Sequence, residues 1–136
     1  MKRITKEEAI DLNQNFVKTK GKALDKIVEK LNNKPKEKDA ISSWFSIDEL
    51  KSFIKDCENS KEDVNGFRVY FGAYGKKEKE KKNLSTVFIV PTKPKVGAMQ
   101  KDGVEGGDDE GGTDIAELGG LNNGSNGYPP SAQYPQ

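Results

Sequence analysis

The stretch GFRVYFGAYGKKEKEKKNLSTVFIVPT, residues 66–92, decides the fold. Its first run alternates: Phe67, Val69 and Phe71 fall on one face, Arg68, Tyr70 and Gly72 on the other, and Tyr74 continues the second set. That period of two is the signature of a strand. The second run places Leu84, Thr86, Phe88 and Val90 on one face and Val87 and Ile89 on the other. Both runs are rich in the β-branched and aromatic residues that suit a pleated surface. The intervening GKKEKEKKN is too charged for a buried element, so the sequence predicts an antiparallel β-hairpin with a basic tip, ended by Pro91 and Pro94. A lone hairpin is marginal in water, so helices have to cover one of its faces.

Upstream sequence supplies them. Thr5 and Glu8 have capping-box spacing, in which the hydroxyl accepts from the N3 amide and the glutamate reaches back to the cap amide. Ala9, Leu12 and Phe16, then Leu24, Ile27, Val28 and Leu31, recur at helical spacing. Gly21 costs about 1 kcal/mol in a helix interior, and the expectation is two helical pieces broken near Thr19–Gly21. WFSIDEL gives a second capping box, Ser46 with Glu49, and Phe45 stands before the cap to pack on Leu50. The helix it starts at Ile47 carries Ile47, Leu50, Ile54 and Cys57 on one side, with Phe53 adjacent. The fold class expected is therefore α+β: two or three helices packed on a small antiparallel sheet built around one long β-hairpin.

Charge divides the chain. Of 136 residues, all 23 Lys and Arg lie at or before Lys101, with 15 of the 22 acids, so residues 1–101 carry +8 and residues 102–136 carry −7. The overall +1 is a cancellation. From about Val96, Gly, Asp, Glu, Asn and Pro dominate, with too little apolar surface to offset ordering entropy of roughly 1–2 kcal/mol per residue. The division expected is a helical and β-hairpin domain over residues 1–95 and an acidic, Gly-rich disordered tail over 96–136. Within the tail, IAELGGL repeats Ile115, Leu118 and Leu121 and is suited to docking on the domain or on a partner; GYPPSAQYPQ suits polyproline II.

What is missing narrows the chemistry. No apolar run approaches the 18 or more residues of a membrane span, and MKRITKEEAI has charges where a signal peptide needs an apolar core. One cysteine, Cys57, excludes an intrachain disulfide, and a cytoplasmic protein is expected. The absence of histidine removes the ordinary Ser-His-Asp and Cys-His arrangements and the main nitrogen ligand of zinc. Asp48 with Glu49 and Glu62 with Asp63 leave a carboxylate-only enzyme as an alternative, though acids in a cap and a turn serve helix dipoles and solvation first. The expectation is no enzyme, no cofactor and no metal. GAYGKK, residues 72–77, lacks the glycine spacing and hydroxyl of a phosphate-binding loop. DGVEGGDDEGGTD lacks the order of a calcium loop.

Arg68, Tyr70 and Tyr74 share one strand face beside Lys76 and Lys77. Polar-ended aromatics and arginine are favoured where binding energy concentrates, so these five residues are the candidate binding surface. Taken together, SSWFSIDELKSFI, the G-x-R-x-Y-F-G run over residues 66–72 and the T-V-F-x-V-P-T run over residues 86–92 resemble a loose set of small uncharacterised bacterial α+β proteins. The resemblance implies a fold and no function, and it carries over no site residue. The reading of the residues is a non-catalytic protein-interaction module whose partner is another protein, using the exposed hairpin face, the acidic tail, or both. Its alternative is a single-stranded nucleic-acid-binding protein whose acidic tail competes for the same basic surface. No membrane partner is expected, and a homodimer through a sheet edge is compatible with the strand pattern.

Overall fold

A computed structural model of the chain describes residues 2–95, 111–122, 125–126 and 131–136. The disorder expected over residues 96–110 and the polyproline II reading around Tyr128 fall on residues outside those described. The fold is α+β. In chain order it has helix α1 (Lys6–Phe16), a π-helical turn (Val17–Gly21), α2 (Lys22–Asn32), strand β1 (Ser43–Trp44), helix α3 (Ile47–Glu58), strands β2 (Gly66–Ala73), β3 (Ser85–Lys93) and β4 (Thr113–Asp114), a 3-10 turn (Ala116–Leu118) and β5 (Ser125–Asn126). A small antiparallel sheet has the order β2-β3-β4, and β1 pairs with β5.

Both capping boxes form. Glu8 N–H donates to Thr5 Oγ1 at 3.2 Å while Thr5 N–H donates to Glu8 Oε2 at 2.8 Å. Glu49 N–H donates to Ser46 Oγ and Ser46 N–H to Glu49 Oε2, each at 3.0 Å. A lysine at the first of these, Lys2, donates to Glu8 at 2.6 Å. That bond, and then the Thr5 amide, hold the Glu8 carboxyl below its ordinary pKa of 4.5.

The expected break at Thr19–Gly21 does not occur. Phe16, Val17, Gly21 and Lys22 all keep right-handed helical dihedrals, so α1, the π turn and α2 run on as one long helix, Lys6–Asn32. Sequence spacing overlooked the wider turn. Thr19 Oγ1 donates to the Asn15 carbonyl at 2.6 Å, the i−4 back-bond that loosens a helical ladder, and Gly21 closes over Phe16, where an added Cβ would meet the Phe16 carbonyl oxygen at 3.3 Å. The one extra residue of a π turn thereby absorbs the glycine. The helix ends at Asn33, which takes the left-handed conformation at φ 51° and donates its N–H to Glu29 O, the familiar use of Asn after a C-terminus.

The chain forms two compact units. In the first, spanning Met1–Trp44, Gly72–Thr86 and Gly124–Gln136, the core is Val28, Ala40 and Leu84. Asp39 is buried beside it and fully engaged. Its carboxylate accepts from Ala40 N–H at 2.8 Å, Ser85 N–H at 2.6 Å and the Ser85 hydroxyl, while its own N–H donates to Asp25 at 2.8 Å. Burial of a carboxylate is tolerable only with such partners. Asn32 Nδ2 donates to Lys82 O at 2.8 Å, and Asn32 Oδ1 accepts from Asn83 Nδ2 at 2.7 Å. These bonds fasten the basic connection after β2 to the end of the long helix.

The second unit, Phe45–Phe71 with Val87–Asn123, buries Cys57, Pro91, Thr92 and Ile115. Burial pushes the Cys57 thiol above its ordinary pKa. On α3 the expected apolar side is only partly used, for Ile47 and Ile54 are exposed while Phe53 meets Phe67 with ring centroids 5.7 Å apart. Strand β3 continues through Pro91 to Lys93, past the expected stop. Proline is admitted because the ladder to β4 ends there: Thr92 pairs with Asp114, Lys93 with Thr113, and Pro91 only accepts, from Ile115 N–H at 2.9 Å.

Candidate functional site

Residues 111–122 of the C-terminal segment lie along β3. Ile89 and Leu121 exchange both backbone hydrogen bonds, at 3.0 and 2.9 Å, and Ile115 is fully buried. Glycine makes the close approach at the front of this segment feasible. A Cβ on Gly112 would sit 2.6 Å from the Lys93 carbonyl oxygen and 2.9 Å from Asn65 Oδ1, and one on Gly120 3.0 Å from the Ile89 carbonyl oxygen. Only a residue without a side chain fits at the first of these.

Strand alternation turns Arg68 and Tyr70 toward that segment. Arg68 Nη1 donates to Asp114 Oδ1 and Arg68 Nη2 to the Gly112 carbonyl at 2.6 Å; the Tyr70 hydroxyl donates to Asp114 Oδ2. Arg68 Nη1 also reaches the Tyr70 oxygen at 3.4 Å, and the Tyr70 ring stacks on Phe88 with centroids 5.2 Å apart. Hydrogen bonding to Tyr70, and then the Asp114 charge, raise the Arg68 pKa above its ordinary value. Two donors from one strand thus close on the two oxygens of one carboxylate, the charge-assisted arrangement that fixes position most firmly. Beside it Lys93 pairs with Glu62 at 2.9 Å and Thr92 Oγ1 donates to Asn65 Oδ1 at 2.9 Å. The Glu62 bond raises the Lys93 pKa.

Of the five residues singled out by sequence, Arg68 and Tyr70 are brought together here. Tyr74, Lys76 and Lys77 lie in the other unit, where Lys76 and Lys77 are exposed. There Tyr74 N–H donates to Leu84 O at 2.9 Å, its hydroxyl lies 3.4 Å from Thr86 Oγ1, and Lys81 Nζ stands 5.2 Å from its ring centre. The residues that sequence reading passed over are Gly112 and Asp114. Their one signal is the trio Thr113-Asp114-Ile115, a strand-like alternation set just after the paired glycines 111 and 112.

The opposite face of β2 opens progressively along the strand: Phe67, packed on Phe53, is 39% exposed, Val69 56% and Phe71 89%, so its apolar set reaches solvent while Arg68 and Tyr70 on the polar face are half-buried and hydrogen-bonded to Asp114. Among the described residues no cluster of three or more Cys, Asp or Glu is arranged to hold a metal ion, and no helix is long and apolar enough to cross a membrane. No family model, curated protein or solved structure matches the chain.

Proposed function

We propose that the chain is a non-catalytic protein-interaction module which receives an apolar protein surface on the Phe67, Val69 and Phe71 face of β2. The observation that supports this reading is the inverted strand, with three apolar side chains exposed on one face and Arg68 and Tyr70 locked on Asp114 on the other. Adjacent exposed aromatic and branched side chains on a rigid strand are the composition of a binding patch. The binding role assigned to Arg68 and Tyr70 then becomes internal: they hold residues 111–115 against the strand whose other face meets the partner. The neighbouring strands β2 and β3 serve as the hairpin of the sequence reading, in a cytoplasmic protein. Affinity capture with full-length chain and with Phe71→Ser, each partner identified by mass, tests the reading. Partners lost from the variant while its thermal unfolding stays unchanged are expected; the same partners recovered from both would overturn it.

The nucleic-acid alternative keeps one observation in its favour. Lys76 and Lys77 are exposed on a connection whose end is braced by Asn32 and Asn83. It requires Asp114 to leave Arg68 before the arginine can meet phosphate, so it predicts stronger, salt-dependent binding of single-stranded oligonucleotide by Asp114→Ala.

A further inference from the structure

The long helix carries an exposed surface of its own. Leu12, Ile27 and Leu31 are 61%, 52% and 57% exposed. Sequence periodicity would have buried these residues. With Asn15, Thr19 and Ala23, also exposed, they form one continuous strip down the helix, at spacings of three and four. On the flank beside the strip the charges are sorted by position. Glu7 and Asp11 occupy the start, Lys18 stands just before the midpoint, and Lys22, Lys26 and Lys30 follow in the second half, every one of them exposed. None of these six takes an ion pair among the described residues, where the pairs are Lys2–Glu8, Arg68–Asp114 and Lys93–Glu62. The acids of the second half are drawn elsewhere: Asp25 accepts from Asp39 N–H, and Glu29 from Lys36 N–H. Among the described residues the lysine row is therefore without an acidic partner, and the two acids are without a basic one.

We infer that this face binds a second copy of the same chain, the two long helices packing antiparallel about a two-fold axis between Thr19 and Lys20. Register decides the orientation. Turning one helix end for end about that point sets Leu12 opposite Ile27 of the other copy, with Leu31 one turn further out. It brings Asp11 between Lys26 and Lys30 of the other copy, successive lysines being about 6 Å apart along the axis, and Glu7 beside Lys30. Because an isologous contact repeats itself, each such pairing occurs twice. Antiparallel packing also sets a flank of one helix against the same flank of its mate, which is what brings the acids and the lysines, sharing one flank, into opposition; a parallel pair would set that flank against the other flank of its mate and leave the complementarity unused. Thr19 and Ala23 supply small side chains where the helices come nearest. A nucleic acid fits the strip poorly, since Leu12, Ile27 and Leu31 offer it no charge and no ring to stack on.

Sedimentation of the full-length chain between about 1 and 200 µM reads the result directly. A monomer–dimer equilibrium that weakens with added salt is expected. Asp11→Lys should raise the dimer dissociation constant about tenfold, since the lost attraction counts twice. Asp11→Lys with Lys26→Asp should restore it, a rescue that a merely structural role would not give. Ile27→Asp should raise it about a hundredfold or more, and its exposed position leaves the fold intact. Mixing Leu12→Cys with Ile27→Cys chains under mild oxidation should give the mixed disulfide. A chain monomeric throughout the range, a dimer indifferent to Asp11→Lys and Ile27→Asp, or disulfides only between like variants would each overturn the inference; a dimer abolished by Phe71→Ser alone would place self-association on the sheet instead.

Discussion

The two faces of β2 are built from neighbouring residues and meet opposite fates. Phe67, Val69 and Phe71 stand exposed, whereas Arg68 and Tyr70, one step along in each case, are held by Asp114 and Gly112. Hydrophobicity alone would have turned the strand over. The difference teaches that a face is claimed by whatever the rest of the chain can bring to it. Here a glycine-flanked acidic segment offers a carboxylate in reach of two donors, and such directed bonds select one register where apolar contact would accept several.

The severest way to break this asymmetry is at the backbone. Gly112→Val places side-chain atoms where Lys93 O already stands within 2.6 Å of a Cβ, and a clash of that kind costs on the order of 2 kcal/mol or more. The expected result is loss of hydrogen-exchange protection at Ile115 and Leu121, whose amides bond to Pro91 and Ile89, with the protection of α3 retained. Asp114→Ala comes next. It strands Arg68 and Tyr70 without their acceptor at a half-buried position, for about 1–2 kcal/mol on the same amides. Should both faces of β2 become equally accessible to solvent probes in that variant, the carboxylate is what distinguishes them.

Phe71→Ser probes the other face and should move the unfolding midpoint by no more than about 0.5 kcal/mol equivalent, because the ring is already in water. A larger loss would mean that the apolar face is covered in the protein as it exists in solution. The smallest effect belongs to Glu8, at the start of the long helix. The Glu8 carboxyl is held below its ordinary pKa, so its contribution to helix stability is present above that ordinary value and disappears as pH falls through the lowered one. A Glu8→Gln chain should lack this acid-side dependence, and the titration of the Glu8 side-chain carboxyl by NMR measures it.

Local rules were readable in the sequence and distant ones were not. Thr5 with Glu8, and Ser46 with Glu49, need only a spacing of three, and both boxes close as the letters imply. The alternation in β2 and β3 likewise rests on neighbours. Continuity through Gly21 was hidden because a π turn depends on a back-bond and a close contact that composition does not encode. The apolar stripes of the helices were overread: Val28 and Cys57 are buried, but Ile27, Leu31, Ile47 and Ile54 are not, since periodicity gives a face its character and not its cover. For the candidate site, Arg68 and Tyr70 were legible as a pair with binding chemistry. Their partner was not, because Asp114 lies more than forty residues away in a segment that reads as solvent-loving.

The docked segment also has a kinetic meaning. Residues 102–136 contain no Lys or Arg, so severing the chain after Lys101 would leave a single acidic peptide carrying Gly112, Asp114, Ile115 and Leu121. In the intact protein that peptide is covalently joined to β3, so its strand pairing, the Ile89–Leu121 bridge and the Asp114 carboxylate close as intramolecular contacts. Once cut, the same contacts have to sustain a bimolecular complex, and dilution alone would bare Arg68 and Tyr70.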